Sequence, residues 1–276
     1  MSKYIYLNGK YFEDQKRLIS THDRGLRFGD GLFETIRISN GKIYQWNFHI
    51  ARLKKGLDIL KIRNVTLHNI KDHACALIQK NHVNNGLLKI IVTAGEKSVG
   101  YSRMKNSPAN IIIETNEKNI LWKEPVQVII SSIPKPNPES IPTQVKTLAN
   151  LNSVLAKIEA EENNCFDGIQ LDNKKYICEF SSGNIFWVKN KVLYTPSNKC
   201  PLIRGVIRNQ ILKSDGIRVN QGVFPINNLL TADEIFMTNA NHIILPISEI
   251  KNEWKGNQFT FTKNLFHHLE SDIASI

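Results

Sequence analysis

The chain has 276 residues, of which 41% are apolar and 22% are charged. This length exceeds the usual size of one domain and supplies enough apolar side chains for two packed cores, so we expect two globular domains. The longest apolar stretches are strand-sized and the N-terminus lacks the apolar segment of a signal peptide, which excludes a membrane span and predicts a cytoplasmic protein.

The formal net charge of +11 is compatible with nucleic-acid binding only if the basic residues cluster. The lysines and arginines are instead scattered, so we expect a basic surface that tolerates anionic ligands, with no nucleic-acid or membrane partner. The cysteines show no metal-ligand spacing, and we expect free, mostly buried thiols and no metal site. They are Cys75, Cys165, Cys178 and Cys200.

Residues 1–117 are predicted to form an α/β domain. Asn40-Gly41 stands between two alternating apolar runs and predicts a tight hairpin turn. The other elements follow from apolar periods of 2 and 3.6 residues. They are strands in "YIYLNGKYFE", "GLLKIIVTAG" and "NIIIET", and helices over Trp46–Leu60 and Ile70–His82.

A polar segment that ends in proline, residues 118–125, predicts a linker, and residues 126–276 then form a second α/β domain. Its predicted helices are Leu151–Glu162, one that opens at Gly205 and a last one from about Thr262. Its predicted strands are "VQVIISSI", Gly168–Leu171, Tyr176–Glu179, Ile185–Lys189, Val192–Thr195, Glu234–Thr238 and Ile243–Ile247.

Lys146 stands between the extended segment "PTQV" and the helix that starts at Leu151. A side chain at such a position can project from a loop into a cleft. A partly desolvated lysine there can lose its proton and become a nucleophilic amine. The alternative is one more solvated surface cation, which is the usual role of a lysine in a basic chain.

Glu179 ends a predicted strand, just before the small polar turn Ser181–Asn184. It is either a turn carboxylate bonded to backbone amides or, beside an aromatic nitrogen heterocycle, the group that holds the ring proton.

Several segments are suited to an anion. Gly205 leads directly into an apolar-periodic helix, so the amides of Val206 and Ile207 point out of a helix start. Thr238, Asn239 and Ala240 form a similar polar opening after a strand. Arg52 lies on a helix of the first domain, where arginines are usually surface residues.

A glycine-rich stretch precedes the first long strand. Gly25, Gly29 and Gly31 surround Asp30, which predicts a tight turn or a close approach of the backbone to another group.

Taken in order, six segments resemble the class IV aminotransferases, the fold-type IV family of pyridoxal-phosphate enzymes. This family includes branched-chain and D-amino-acid aminotransferases and 4-amino-4-deoxychorismate lyase, and the likeness covers nearly the whole chain. The segments are "DRGLRFGDGLFETIR", "FHIARL", "KTLANLNSVLAKIEAEE", "EFSSGNIFWVKNKVLYTP", "GVIR" and "LLTADEIFMTN".

The resemblance implies a fold like that of D-amino-acid aminotransferase, with two α/β domains and the cofactor between them. It also implies a homodimer whose partner loop helps to close each site. Lys146 would form the imine with pyridoxal 5'-phosphate and later move the proton, and Glu179 would pair with the pyridine nitrogen. The other implied residues are Arg52 and the amides of Val206, Ile207 and Ala240 for the phosphate, Asn184 and Asn239 for the cofactor, and Phe33 and Tyr101 for the substrate.

Two positions depart from the family pattern. Gly205-Val206-Ile207 replaces the frequent Gly-Ile-Thr, and Ala240 replaces a frequent threonine. Two hydroxyl ligands of the phosphate are thereby lost, so we expect phosphate binding to depend more on Arg52.

The branch of the family follows from smaller signals. D-Amino-acid aminotransferases carry an Arg-x-His set where this chain has Val99 and Tyr101. The loop "MTNA" resembles the Asn-Ala or Asn-Ser of the deoxychorismate lyases more than the Gly-Thr of branched-chain aminotransferases. We therefore expect a 4-amino-4-deoxychorismate lyase of folate biosynthesis, with a branched-chain amino acid aminotransferase as the alternative and a non-catalytic ligand-binding relative as a distant one.

Overall fold

The computed structural model describes residues 3–14, 18–96, 98–104 and 106–276. The chain divides into two compact units. The first comprises Met1–Asn119, Val145–Asn150 and Ile273–Ile276, and the second comprises Ile120–Gln144 and Leu151–Asp272. The predicted domain limits stay a prediction, and the short segment that contains Lys146 packs with the first unit.

The first unit is built on an antiparallel sheet with the strand order β2-β1-β8-β5-β3-β4, and β6 and β7 form a separate hairpin. The strands are β1 (Tyr4–Leu7), β2 (Lys10–Glu13), β3 (Gly31–Ser39), β4 (Lys42–Ile43), β5 (Gly86–Thr93), β6 (Ser98–Val99), β7 (Ser102–Arg103) and β8 (Asn110–Glu117). The helices are α1 (Arg24–Phe28), α2 (Trp46–Ile59) and α3 (Ile70–Lys80).

The core of this unit lies between one face of the sheet and the long helices. Leu32, Ile36 and Ile38 of β3 pack in one buried cluster with Leu53 and Leu57 of α2. Every second residue of β3 therefore faces the helices, as the pleat of a strand requires.

The predicted hairpin turn is confirmed. Asn40 and Gly41 have φ values of 51° and 72°, the left-handed conformations that a two-residue hairpin turn needs.

The glycine-rich stretch makes both a turn and a close approach, as predicted. Gly29 ends α1 with a φ of 63°. A Cβ atom at Gly31 would lie 2.4 Å from the carbonyl oxygen of Val92 and 2.7 Å from Leu148 Cδ1. Only glycine therefore lets the segment 145–150 approach the start of β3 so closely.

The second unit is built on a mixed sheet with the strand order β11-β10-β9-β16-β15-β12-β13-β14, and β17 pairs with β16. The strands are β9 (Val126–Ile130), β10 (Asp167–Leu171), β11 (Ile177–Phe180), β12 (Asn184–Lys189), β13 (Val192–Pro196), β14 (Val219–Gly222), β15 (Glu234–Asn239), β16 (Ile243–Ile250) and β17 (Trp254–Lys255). The helices are α4 (Leu151–Glu162), α5 (Val206–Lys213), α6 (Asn227–Leu230) and α7 (Thr260–Ala274).

The long periodic segments were predicted correctly, whereas several short elements had no prediction. The helix over Leu151–Glu162 has the predicted bounds. The elements without a sequence prediction are α1, β6, β7, β14, α6 and β17. Each has five residues or fewer, too few to show an apolar period.

The cysteines are free thiols, as expected, with Cys165, Cys178 and Cys200 buried. No helix in the described ranges is both long and apolar enough to cross a membrane.

Candidate functional site

Lys146 lies in a loop whose backbone is fastened to the edge of β3. Phe33 N donates to Lys146 O at 2.9 Å, and Leu148 N donates to Gly31 O at 2.9 Å. The side chain is half-buried, and Nζ lies 4.1 Å from the centroid of the Phe33 ring. An aromatic ring attracts a cation but offers it no hydrogen bond, so the ring replaces part of the water around this amine.

Arg52 on α2 is held by a carboxylate that the sequence did not single out. Its Nε donates to Glu34 Oε1 at 2.8 Å and its Nη2 donates to Glu34 Oε2 at 2.5 Å. The side chain of Glu34 is 1% exposed and that of Arg52 is 13% exposed. This two-point contact fixes the plane of the guanidinium, so Arg52 is not the surface residue that a helical arginine usually is.

His49 completes this cluster through Nδ1, which lies 2.7 Å from Glu34 Oε2. Burial raises the pKa of Glu34, but the charge of Arg52 and the hydrogen bonds from Arg52 and His49 outweigh it and bring the pKa to about 2. Burial lowers the pKa of His49. The ring is therefore neutral at neutral pH, and the negative charge of Glu34 is balanced by Arg52.

Glu179 at the end of β11 is buried, with 3% exposure, and both its oxygens are bonded. Oε1 pairs with Lys135 Nζ at 2.8 Å. Oε2 accepts from Asn184 Nδ2 at 3.0 Å and from Ile203 N at 3.1 Å. A carboxylate has about four lone-pair sites, so Oε1 can still accept one further proton donor.

Lys135 was missed by sequence reasoning. It stands in "IPKPNP", where no period or motif separates it from the rest of the 36 Lys and Arg residues. Lys135 differs from these residues because its ammonium group is buried beside a carboxylate, and only folding creates that arrangement.

The start of α5 is shaped by Asn184 on β12. Asn184 Oδ1 accepts from Gly205 N at 3.1 Å, and its Nδ2 also donates to Ile203 O at 2.7 Å. A Cβ atom at Gly205 would lie 2.1 Å from Asn184 Oδ1, so only glycine fits. Gly205 has no side chain to cap the helix, and the amides of Val206 and Ile207 keep their capacity to bind an anion.

Asn239 closes the turn that contains Ala240. Its Oδ1 accepts from Asn241 N at 3.0 Å and from His242 N at 2.9 Å, and its Nδ2 donates to Ser182 O at 3.1 Å. The Asn239 side chain therefore shapes this turn and ties it to the turn before β12.

Asp167 is another residue that the sequence did not reveal. It is fully buried and accepts hydrogen bonds from the hydroxyls of Ser181 and Ser182. These bonds fix the small polar turn that separates Glu179 from Asn184.

The two expected substrate residues lie in different surroundings within the first unit. Phe33 on β3 is half-buried and contacts Lys146. Tyr101 lies on the β6–β7 hairpin with 86% exposure, and its ring contacts Phe28 with centroids 5.4 Å apart. The side chain of Val99 lies outside the described part of the structure.

Comparison with known sequences gives a family and several relatives. The family "Amino-transferase class IV" matches residues 31–250. The chain is 32% identical over 259 residues to a "Putative branched-chain-amino-acid aminotransferase" from Methanocaldococcus jannaschii, covering 92% of this chain and 90% of that protein. It is 29% identical over 263 residues to the aminodeoxychorismate lyase of Bacillus subtilis, covering 92% and 89%. It is 27% identical over 281 residues to a D-alanine aminotransferase from Bacillus licheniformis, covering 98% and 97%.

Solved structures show the same fold. The branched-chain amino acid aminotransferase of Escherichia coli superposes with a TM-score of 0.92 at 23% identity, covering 98% of this chain and 94% of that one. The branched-chain aminotransferase of the archaeon Thermoproteus uzoniensis with norvaline also has a TM-score of 0.92, at 21% identity, covering 100% and 96%. At these identities the likeness concerns the fold alone.

Proposed function

Because the chain belongs to the class IV aminotransferases, a family of enzymes that use pyridoxal phosphate, we propose that it is a 4-amino-4-deoxychorismate lyase. The family match confirms the resemblance to the class IV aminotransferases, and the superpositions confirm the predicted fold class. The proposed reaction forms 4-aminobenzoate and pyruvate.

The observation that carries the choice of branch is the turn closed by Asn239. Its side chain makes three hydrogen bonds that fold the turn around Ala240. The Gly-Thr that branched-chain aminotransferases have at this position cannot make them, because glycine has no side chain. The similarity to the Bacillus subtilis lyase over 92% of the chain supports the same choice.

The groups present suit pyridoxal phosphate. Lys146 offers a half-buried amine, and Glu179 offers a buried carboxylate that can accept one more proton donor, as a protonated ring nitrogen requires. The start of α5 offers uncapped amides, where glycine keeps side-chain atoms away. Arg52 offers a fixed guanidinium for the phosphate.

These residues have separate tasks in the proposed reaction. The bound cofactor supplies an electron-withdrawing ring that stabilises the charge left when a substrate bond breaks. Glu179 keeps a proton on the ring nitrogen. Lys146 attaches the cofactor, removes the proton from the substrate carbon that bears the amino group, and can return a proton as pyruvate leaves.

A branched-chain aminotransferase is the second candidate, favoured by 32% identity to the Methanocaldococcus jannaschii protein. The deciding experiment gives the purified protein 4-amino-4-deoxychorismate, or leucine, isoleucine or valine with 2-oxoglutarate. We expect 4-aminobenzoate and pyruvate, with slow transamination at most. Rapid repeated transamination without 4-aminobenzoate would establish the second candidate, and no turnover of either set would favour a ligand-binding relative.

The role of Lys146 has its own test. We expect borohydride to fix the cofactor covalently to this residue, and Lys146→Ala to abolish the adduct and lower turnover by several orders of magnitude. Lys255→Ala, a change of an exposed lysine, is the matched control. A reducible adduct that persists in Lys146→Ala would show that another amine carries the cofactor.

A cytoplasmic location and a homodimer also belong to this proposal. Sedimentation of the purified protein tests the dimer, for which a single species of about twice the 31.5 kDa chain mass is expected.

A further inference from the structure

Thr238 on β15 carries a buried hydroxyl with no partner. The residue is 2% exposed, and its Oγ1 has no hydrogen bond to any residue in the described part of the chain. A buried hydroxyl loses its hydrogen bonds to water, and without a protein partner nothing offsets that free-energy cost. Buried unpaired hydroxyls are therefore rare in folded proteins. An unpaired group of this kind therefore points to a ligand.

The position of Thr238 in the sheet indicates which ligand its hydroxyl would bind. Thr238 is the direct antiparallel partner of Asn184, and such paired residues project from the same face of a sheet. The pair Phe186 and Phe236, two residues further along, stacks with ring centroids 5.3 Å apart, as side chains on one face do. Asn184 on this face binds Gly205 N, at the start of α5. The unpaired hydroxyl and the uncapped amides of α5 thus occupy the same side of the sheet, and α5 packs against β15.

Nearby residues explain why a hydroxyl is needed here. Ile207 and Ala240 stand where the family often has threonines, so neither can offer a hydroxyl to an anion. The Asn184 side chain is already bonded to Glu179, Ile203 and Gly205. The hydroxyl of Thr238 remains as a donor on this face.

We propose that Thr238 Oγ1 donates a hydrogen bond to the phosphate group of the cofactor, replacing the hydroxyls absent at positions 207 and 240. This inference rests on the proposed function only in requiring a phosphate-bearing cofactor. The sequence marks residues 238–240 only as a polar opening suited to an anion, and this inference assigns the contact to the hydroxyl of Thr238.

The test compares the affinities of the apo protein for pyridoxal phosphate and for pyridoxal, which lacks the phosphate. Thr238→Val should weaken pyridoxal phosphate binding about tenfold, the effect of one hydrogen bond to a charged group, and leave pyridoxal binding unchanged. Thr238→Ser keeps the hydroxyl and should retain the affinity. The melting temperature of the apo Thr238→Val protein should stay equal or rise, because valine has the same shape and no unpaired hydroxyl.

Thr195→Val is the matched control, since Thr195 is a buried threonine of the same sheet whose hydroxyl donates to Ile185 O at 2.8 Å. It should lower the melting temperature and leave the ratio of the two affinities unchanged. Equal pyridoxal phosphate binding by wild type and Thr238→Val would overturn the proposal, and so would a parallel loss of pyridoxal binding. Failure of the wild-type protein to bind pyridoxal phosphate more tightly than pyridoxal would count against the proposed function itself.

Discussion

Each compact unit contains a carboxylate buried against a cation, Glu34 with Arg52 and Glu179 with Lys135, and these two pairs differ in which partner is exposed. In the first unit Glu34 is 1% exposed and its partner Arg52 is 13% exposed. In the second unit Lys135 and Glu179 are both nearly inaccessible, at 7% and 4% for their side chains. The guanidinium is the more accessible member of the first pair, whereas neither member of the second is distinctly accessible.

This difference indicates what each pair is for. Glu34 has both oxygens bonded to Arg52 and one also to His49, so its role is to orient a cation. Among the described residues, Glu179 has one oxygen bonded to Lys135 alone, so it can accept a further donor, and its neighbours orient a carboxylate. In both pairs, removing two charges from water costs free energy. The burial of these pairs is therefore better explained by the orientation they give to a side chain than by a gain in stability.

The largest expected effect follows removal of the charge on Glu179. Glu179→Gln should lower turnover on the order of a hundredfold or more, because an amide cannot hold a proton on the ring nitrogen. Steady-state kinetics measure it. Glu234→Gln, a change of another buried carboxylate in the same unit, is the control and should leave turnover near that of wild type. Unchanged activity of Glu179→Gln would leave Glu179 as a turn carboxylate only.

Arg52→Ala should weaken pyridoxal phosphate affinity by about 1.5–3 kcal/mol, the value of a hydrogen bond to a charged group. Equilibrium titration of the apo protein measures this change. Arg63→Ala, which removes an exposed arginine of the same unit, should have no such effect. Equal affinities of Arg52→Ala and the control would contradict the phosphate role.

Lys135→Met should lower turnover about tenfold, less than Glu179→Gln, because Asn184 and Ile203 N still orient the carboxylate. It should also destabilise the protein by about 3 kcal/mol, since a buried charge loses its partner. Lys135→Arg should restore most of both losses. A stability loss without any change in turnover would show that Lys135 only supports folding.

The last prediction concerns the acid stability of the first unit. The folded pKa of Glu34 is about 2 against an ordinary 4.5, so its stabilising contribution is complete above pH 4.5 and disappears as the pH falls through 2. This contribution is on the order of 3 kcal/mol. The stability difference between wild type and Glu34→Gln, from urea unfolding, should therefore shrink across that range. Glu114→Gln, at a half-exposed ion pair, should show little change.

Sequence patterns alone were sufficient for the long elements and for the family. Apolar periods predicted α2, α3, α4 and the long strands, because a period over several turns or pleats is a local property. The predicted roles of Lys146, Glu179 and Arg52 followed from motif resemblance, and they remain to be tested by the experiments above.

Tertiary structure decided which residues support these three. Glu34 bonds Arg52, Lys135 pairs with Glu179, and Thr238 lies opposite Asn184, each across a separation that no local pattern spans.

It also decided which face of α4 is buried. Its apolar residues Leu151, Val154, Leu155 and Ile158 are all more than 40% exposed, whereas Ala156 and Ala160 are buried. The small residues face inward because the helix approaches β10 so closely that a Cβ atom at Gly168 would lie 3.0 Å from Ala156 O. An apolar period shows that a helix forms, but the distance to its neighbour determines which side chains fit beneath it.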